Sequence, residues 1–408
     1  MRLLRARNRR RARGLPASRS THAVYFLLMH AYGMGGTIRT VHNLAGYLAR
    51  DHEVTLYSLI RTREEPFFPF PEDITVTPLD DRTEAGRPRG LLGLVSAVLS
   101  RIPSVLVHGD DRAYKISSLW TDVQLFRAIR SLRSGVLITT RPALNLIALT
   151  LAPPGVITVG QEHMNLGVHK PGLRKAIKRN YGRLDALAVL TDRDRSSYEP
   201  LLRSAPTRLV RIPNAVPRLA GGTAQYDSKV VVAAGRLTNQ KGFDLLVRAW
   251  AQVKPAYPDW TLRIYGSGPW REKLQRMISE HALGENVHLM GRTNHMGEEL
   301  AKGSIYALSS RFEGFAMVVI EAMSKALPMV AFDCPTGPAD VIVAGENGAL
   351  IKPGDIEGFA AALMEFMDDE SKRRRCGMNA QETARTYDLD VVGTQWNELF
   401  ADLAVPRS

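Results

Sequence analysis

The sequence predicts an α/β protein made of two consecutive domains, each built on a parallel sheet. Two series of alternating strand-like and helix-like segments follow one another along the 408 residues, and a stretch rich in proline and glycine separates them. The hydrophobic content of 45% supplies enough apolar material for two cores, since single cores stop growing well below this length. Two series of similar size, rather than eight equal βα repeats, favour twin open sheets over a barrel.

The first series opens with a strand-like run, a glycine loop and a helical pattern. Residues 23–29 are apolar, Gly33, Gly35 and Gly36 form the loop, and apolar residues then recur at helical spacing. Residues 53–60 are again strand-like, so this segment is a βαβ unit with a right-handed crossover. Further strands are predicted at 135–139, 156–159, 186–190 and 207–212, whereas 61–89 is typical of loops with one short strand.

The second series repeats the alternation with clearer helical patterns. Strands are predicted at 229–234, 261–265, 287–290, 305–308, 328–332 and 349–351, with helices at 243–253, 271–282, around 318–326 and 358–367. The predicted organisation is a basic tail over 1–20, a first domain over 21–215, a linker over 216–228, a second domain over 229–385, and a C-terminal helix over 386–408 that packs back on the first domain. Ligands of such sheets bind at the carboxyl ends of the strands, so two facing sheets would place them in the cleft between the domains.

The positive charge is concentrated at the N-terminus. The net charge is +13, and residues 1–20 contain eight arginines and no acid, which leaves 13 − 8, or +5, for the rest of the chain. Such a block is typical of a disordered segment. Two interpretations stay open, a solvated extension and a peripheral contact with anionic membrane lipid. Nucleic acid is disfavoured as a partner, because no aromatic residue alternates with the arginines to stack on bases.

Cysteine content and hydropathy favour the cytoplasm. Cys334 and Cys376 lie far from any second ligand, so the sequence predicts neither a disulfide nor a zinc site. No secretion signal is apparent, and the longest apolar run, 91–100, is half the length that spans a bilayer. Apolar residues from Leu91 to Ile102 follow helical spacing. This helix either packs on its own domain or rests in the interface of a membrane.

Three loops carry residues suited to phosphate and sugar binding. Paired glycines before a helix suit a phosphate, although they also serve turn geometry. Arg236 and Lys241 follow a predicted strand, and both cations can reach a diphosphate, with two solvated side chains as the alternative. Glu313 and Glu321 are eight residues apart across a loop-to-helix junction, where one carboxylate can accept hydrogen bonds from sugar hydroxyls and the other can hold a ribose diol.

The second series resembles the donor domain of the retaining family 4 glycosyltransferases of the GT-B fold. The resemblance rests on the Gly-Arg-Leu and Lys-Gly-Phe elements of 235–243, on Tyr-Gly-Ser-Gly-Pro at 265–269, and on the Glu-x7-Glu element from Glu313 to Glu321. It extends more loosely over the first series, with Gly35-Gly36 and Gln161-Glu162-His163-Met164 as counterparts. The resemblance implies two Rossmann-like domains, the first on the acceptor side and the second binding a nucleotide sugar.

The resemblance also assigns roles to particular residues. It implies that Arg236 and Lys241 hold the diphosphate, that Glu321 holds the ribose, and that Glu313 and His163 contact the transferred sugar. Further donor-binding residues are implied at Gly35, Gly36, Gly266, Arg292, Phe315, Ala316, Met317 and Val318. No metal or other cofactor is expected, because Asp192-Arg193-Asp194 is explained more simply by a helix N-cap at Thr191 or Asp192.

The implied function is metal-independent retaining transfer of a hexosyl or N-acetylhexosaminyl group from a nucleotide sugar, with a UDP-sugar preferred. The loop 333–338 resembles one found in members that act on cell-envelope polymers. The expected acceptor is therefore a cell-envelope glycan, a polyol-phosphate polymer or a lipid-linked molecule at the inner face of the cell membrane. The alternatives are a GDP-mannose-dependent mannosyltransferase and a GT-B sugar phosphorylase or nucleotide-sugar epimerase.

Overall fold

The structure, a computed structural model, describes residues 19–405 apart from Pro217, Ala316, Pro335 and Thr336. The chain forms two compact units. The first runs to Ala215 and takes in the chain from Val392 onward, and the second spans Val216–Val391. Nearly all of the predicted basic tail, residues 1–18, lies outside the described residues.

The first unit is built on a parallel sheet of seven strands. Its order is β3-β2-β1-β4-β5-β6-β7, with every neighbouring pair parallel. The strands are β1 (Ala23–Leu28), β2 (Glu53–Arg61), β3 (Ile74–Asp81), β4 (Gly135–Thr139), β5 (Val156–Gln161), β6 (Ala186–Val189) and β7 (Arg208–Arg211). The helices between them are α1 (Gly36–Leu48), α2 (Gly90–Leu99), α3 (Leu119–Ser131), α4 (Pro142–Leu151), α5 (Pro171–Asn180) and α6 (Asp192–Leu202).

The second unit is built on a parallel sheet of six strands, in the order β10-β9-β8-β11-β12-β13. The strands are β8 (Val230–Ala234), β9 (Thr261–Tyr265), β10 (Val287–Gly291), β11 (Ile305–Leu308), β12 (Met329–Phe332) and β13 (Gly348–Ile351). The helices are α7 (Phe243–Val253), α8 (Arg271–Glu280), α9 (Met296–Ala301), α10 (Met317–Ser324), α11 (Pro338–Val341), α12 (Ile356–Asp368), α13 (Glu370–Arg385) and α14 (Leu389–Ala404), the last of which joins the first unit from Val392.

Helices cover both faces of the second sheet. Successive side chains of a strand point to opposite faces, and along β8 Val231 lies in an apolar cluster with Trp250 and Phe359, whereas Val232 lies in a separate cluster with Tyr306. This explains why β8 has the sequence Val-Val-Val-Ala-Ala, with no polar residue to face water. The sheet is therefore a rigid platform whose exposed functional groups come from the loops at its strand ends.

The stretch 216–228, which the sequence predicts to be a linker, packs against the second unit over its described residues. Ala224 and Tyr226 are buried in that unit's core. The Lys325 ammonium donates to the carbonyls of Leu219 and Gly221 at 2.7 and 2.9 Å. The described residues of this stretch form no helix or strand, yet they are packed into the second unit.

The C-terminal helix α14 packs on the first unit beyond Val392. Gly393 lies against the ring of Tyr47, and the His52 ring bonds the Asn397 side chain at 3.2 Å. Its buried face includes Trp396, which is fully buried.

Candidate active site

The strand order of the second sheet identifies where a ligand would bind. From β8 the chain proceeds through β9 to β10 on one side, and from β11 through β12 to β13 on the other. The direction reverses between β8 and β11, and the crevice at such a reversal, beyond the carboxyl ends of the strands, is where open α/β sheets bind ligands. Two loops border this crevice, 235–242 after β8 and 309–315 after β11. Arg236, Lys241 and Glu313 lie on these two loops, as the sequence predicts.

Backbone contacts fix the loop after β8. Its Leu237 amide donates to the Ser267 carbonyl at 3.0 Å, which ties it to the loop after β9. Gly266 has a φ of 143°, and a Cβ there would lie 1.8 Å from the Gly235 carbonyl oxygen. Gly242 has a φ of 62°, and a Cβ there would lie 2.0 Å from the Ser309 carbonyl oxygen. Only glycine fits at these two positions, because each combines a left-handed conformation with contact to backbone.

Lys241 and Glu313 form a nearly buried ion pair between the two loops. The Lys241 Nζ lies 2.6 Å from the Glu313 Oε1, and their side chains are 16% and 6% exposed. The Ser310 hydroxyl also donates to the Glu313 carboxylate, at 2.5 Å. The ammonium is therefore held at the switch point, with its remaining N–H groups able to meet an anion.

A second ion pair clamps the same loops and was not predicted from the sequence. The Arg311 guanidinium makes a two-pronged contact with the Asp244 carboxylate, both bonds being 2.8 Å long. The same guanidinium donates to the Asn239 carbonyl at 2.8 Å. Hydrogen bonds to Arg311 hold the pKa of Asp244 below its usual range, against the effect of burial. Asp244 lies in the first turn of α7, where an acidic residue is favourable.

Glu321 and Tyr306 lie beneath the two loops. Glu321 is buried on α10, four residues into the helix. Burial raises the pKa of the Tyr306 phenol well above its usual range, and the charges of Glu313 and Glu321 raise it further. Tyr306 bonds the backbone of Ala234 at the end of β8. The two carboxylates of the Glu-x7-Glu element thus both raise the pKa of one buried phenol at the switch point.

Cys334, which follows β12, is a buried free thiol beside the ion pair. Burial, with a smaller contribution from the charge of Glu313 and against the opposing charge of Lys241, raises its pKa to about 12. A thiol with such a pKa is protonated at neutral pH and is a poor nucleophile.

The remaining predicted residues of the second unit lie around this crevice in different settings. Arg236 is exposed, and among the described residues no carboxylate lies within 4 Å of its guanidinium. Gly291, at the end of β10, accepts the Gly266 amide at 2.7 Å, and the adjacent Arg292 is exposed. Phe315 packs its ring against Tyr387. Met317 and Val318, both half-buried, form the first turn of α10, and Ala316 lies outside the described residues.

In the first unit the glycine loop leads into α1. Gly35 is the N-cap of this helix, with an extended φ of 174°, no side-chain cap and no acid in the first turn. A Cβ at Gly36 would meet no atom within 4 Å, and one at Gly35 would meet only Ile38, at 3.9 Å. Turn geometry therefore requires neither glycine. The free N–H groups of the first turn and the open space above them suit the approach of an anion.

His163 follows β5 with an imidazole that lacks hydrogen-bond partners. Neither ring nitrogen bonds any of the residues that the structure describes. Burial lowers the pKa of His163 to about 4, so the ring is neutral at physiological pH. A buried polar group without a partner is costly, and a ligand that supplies one would remove that cost.

The residue beside it, Glu162, is the centre of a buried network. Its carboxylate accepts a short hydrogen bond from the Tyr181 hydroxyl and one of 2.9 Å from the Asn145 amide. The His169 ring lies 3.7 Å away. Burial raises the pKa of Glu162 above its usual range. These side chains come from three separate segments, and they fix the backbone that carries His163.

The Asp192-Arg193-Asp194 sequence is structural. Thr191 is the N-cap of α6 and accepts the Asp194 amide at 3.0 Å, which confirms the predicted cap. The Asp194 carboxylate accepts the Thr191 hydroxyl at 2.8 Å. Over the described part of the chain, no three His, Cys, Asp or Glu side chains converge as metal ligands.

Comparison with known proteins shows which families and relatives the chain is similar to. Residues 221–383 match the family Glycosyl transferases group 1. An exopolysaccharide phosphotransferase of Streptomyces coelicolor is 37% identical over 94% of this chain and 41% of its own length. The amylovoran biosynthesis glycosyltransferase AmsD of Erwinia amylovora is 26% identical over 90% of this chain and 95% of its own length.

Solved structures agree on the fold. TarM of Staphylococcus aureus, in a complex with fondaparinux, alpha-GlcNAc-glycerol and UDP, superposes with a TM-score of 0.73 at 16% identity, over 93% of this chain and 100% of that one. The protein therefore has the GT-B fold, as the sequence predicts. Residues 221–383 are similar to the glycosyl transferases group 1, and the Erwinia relative is named as a glycosyltransferase. The chain spans less than half the length of the Streptomyces relative.

Proposed function

We propose that the protein is a retaining glycosyltransferase that moves a hexosyl or N-acetylhexosaminyl group from a nucleotide sugar, preferably a UDP-sugar, to a cell-envelope acceptor. The observation that carries this proposal is the arrangement at the switch point between β8 and β11. There the Lys241–Glu313 pair, the exposed Arg236 and the buried Glu321 surround one crevice. This set combines cations for a diphosphate with carboxylates for hydroxyl groups.

In the proposed complex, Arg236 and Lys241 hold the diphosphate and Glu321 holds the ribose diol. The first turn of α10 adds backbone N–H groups and the positive end of a helix dipole, with no acid in that turn to occupy them. Glu313 is bonded to Lys241 and Ser310, and in the proposed complex its carboxylate also accepts a hydrogen bond from a sugar hydroxyl. Uridine is preferred on the basis of the resemblance, and TarM was solved with UDP.

The proposed reaction is transfer with retention and without a covalent enzyme intermediate. The acceptor hydroxyl attacks the anomeric carbon on the side from which the diphosphate leaves, and the leaving phosphate takes the proton. The two loop cations stabilise the charge that develops on the diphosphate, so no divalent ion is needed. His163, neutral and without partners, offers a hydrogen bond to the transferred sugar.

Helix α5 supports a negatively charged acceptor, such as a polyol-phosphate polymer or a lipid-linked phosphate. Its exposed face carries Lys170, Arg174, Lys175, Lys178 and Arg179, opposite the buried Leu173 and Ile177. No Asp or Glu occurs between residues 163 and 184, so the segment itself contributes only positive charge, and the Asp110 carboxylate lies against Gly172 in the first turn of α5. The exposed face begins seven residues after His163, on the unit that the resemblance places on the acceptor side. A concentrated positive face attracts and orients an anionic substrate.

The proposal is tested by identifying the products formed from a panel of UDP- and GDP-sugars with cell-envelope acceptors. Glycosyl transfer releases a nucleoside diphosphate, whereas transfer of a sugar phosphate releases a nucleoside monophosphate. An epimerase would convert the sugar without releasing nucleotide, and a phosphorylase would require inorganic phosphate in the reverse direction. Turnover of GDP-mannose alone would favour the mannosyltransferase. Release of nucleoside monophosphate would contradict the proposal and favour the chemistry named for the Streptomyces relative.

A further inference from the structure

Helix α2 exposes its large apolar side chains to solvent. Among its residues only Ser96 is buried. Leu91, Leu94 and Val98 are 79%, 64% and 50% exposed, and Val95 is 42% exposed. At 100° per residue these four side chains fall within an arc of roughly 100°. They therefore form one continuous apolar face rather than scattered surface residues.

The opposite side of α2 carries Gly93 and Ser96, and the helix packs against α3. The Ser96 hydroxyl donates a hydrogen bond to the Gly93 carbonyl at 2.9 Å. A Cβ at Gly93 would lie 2.5 Å from the Pro88 carbonyl oxygen, so a larger side chain does not fit there. A surface helix ordinarily buries its large apolar residues and exposes its polar ones. In α2 this arrangement is inverted, which indicates an apolar environment on its outer side.

The charges around α2 show which environment fits. Arg87 and Arg89 precede the helix and Arg101 follows it, and all three are exposed. Between residues 85 and 109 the sequence contains these three arginines and no Asp or Glu. Along the chain the apolar face is thus flanked at both ends by arginines, while the Asp81 carboxylate lies against Gly86, before the helix.

We propose that α2 docks into the interface of a membrane that contains anionic lipid, with its apolar face among the acyl chains and the three arginines at the headgroups. An in-plane helix with this pattern gains from apolar burial and from attraction to anionic headgroups. Its ten residues extend about 15 Å, half the thickness of the hydrocarbon core. Over the described residues, no helix is long and apolar enough to cross a membrane. The contact is therefore peripheral.

A second copy of this chain fits the same face less well. In a two-fold symmetric dimer each patch meets itself, so Arg87, Arg89 and Arg101 of one copy would approach the same arginines of the other. Anionic headgroups neutralise these charges, whereas a symmetric partner repeats them. Membrane docking does not depend on the proposed reaction, although it would bring the first unit to the surface where lipid-linked acceptors lie.

The test compares the binding of the full chain and its variants to vesicles of phosphatidylglycerol and phosphatidylcholine in equal parts. The key variant is Leu91→Gln/Val95→Gln, whose exposed positions tolerate polar side chains without loss of folding. The matched control is Met378→Gln, which alters an exposed apolar residue of the second unit. We expect the double variant to bind at least about tenfold more weakly, because two apolar side chains no longer leave water. The control should bind as the wild type does.

Two further measurements separate α2 from the basic tail and from self-association. A chain that begins at Ser20 lacks all eight N-terminal arginines, yet it should still lose binding on the α2 substitutions. A Leu94→Trp variant should show a blue-shifted emission on vesicles, quenched by brominated acyl chains. Equal binding by the wild type and the double variant would overturn the proposal, as would no binding by the wild type. Self-association of the wild type that the double variant abolishes would assign the face to a second copy instead.

Discussion

We expect loss of the Lys241–Glu313 ion pair to lower both the stability and the turnover of the protein, and a double variant distinguishes the two effects. Lys241→Ala removes the ammonium and leaves a carboxylate that is only 6% exposed and that still accepts a hydrogen bond from Ser310. Breaking a buried pair by removing one partner typically costs 3–5 kcal/mol. We expect the lower end, about 3 kcal/mol, because Ser310 still donates to Glu313 and the lysine was partly exposed. For a domain of this size that corresponds to a fall of about 6–12 °C in Tm.

The second component is catalytic. If Lys241 also stabilises the leaving diphosphate, turnover should fall by at least about a hundredfold, the usual consequence of losing one group that stabilises developing charge. The double variant Lys241→Met/Glu313→Gln distinguishes the two components, because it removes both charges together. Its stability should return close to that of the wild type, whereas its turnover should stay as low as that of Lys241→Ala.

The assay pairs thermal unfolding with release of nucleoside diphosphate from a nucleotide sugar, for the wild type and both variants. Unchanged Tm in Lys241→Ala would show that the pair contributes nothing to folding. Recovery of turnover in the double variant would refute the diphosphate role, since it would mean that Lys241 serves only to neutralise Glu313.

Four further predictions follow from the same structure. Arg236→Ala should lower kcat at least about a hundredfold with unchanged Tm, because this exposed guanidinium has no carboxylate partner among the described residues; Arg276→Ala, an exposed helical control, should alter neither quantity. Activity should survive excess EDTA, and a loss restored by a divalent ion would contradict the role given to the loop cations. Burial lowers the pKa of His163 to about 4, so below about pH 6.5 the unfolded chain binds a proton that the folded protein does not. Stability should therefore fall as the pH drops from about 6.5 towards 4, and chemical unfolding of His163→Gln should show a smaller fall. Arg174→Glu/Lys178→Glu should raise KM for an anionic acceptor several-fold and leave KM for the donor unchanged. If the variant has the same KM as the wild type for both substrates, α5 has no role in binding the acceptor.

The alternating pattern of the second unit could be predicted closely, because its strands are buried on both faces and its helices have clear apolar faces. The helix predicted at 243–253 is observed as α7, Phe243–Val253. By contrast, β3 has eight residues where the sequence predicts loops and one short strand. It lies at the edge of the sheet, and most of its residues are half-buried, so its pattern gives little contrast between apolar and polar positions.

The motifs of the crevice could be recognised, but its supporting contacts could not. The Arg311–Asp244 pair joins residues 67 positions apart in the sequence, and only the adjacency of β8 and β11 brings them together. The sequence offers one signal for this pair, the acidic Asp244 in the first turn of α7. An acid at that position is already explained by its favourable interaction with the helix dipole. The network of Glu162, Tyr181 and Asn145 likewise depends on how three segments pack, which no spacing in the sequence reveals.

We propose that this protein transfers a sugar, with retention, from a nucleoside diphosphate sugar. The most direct measurement follows one reaction with a UDP-sugar in two ways, by chromatography of the released nucleotide and by NMR of the anomeric proton in the product. We expect release of UDP, one equivalent per glycoside formed, and a product with the same anomeric configuration as the donor. Release of UMP, or a product of inverted configuration, would contradict it.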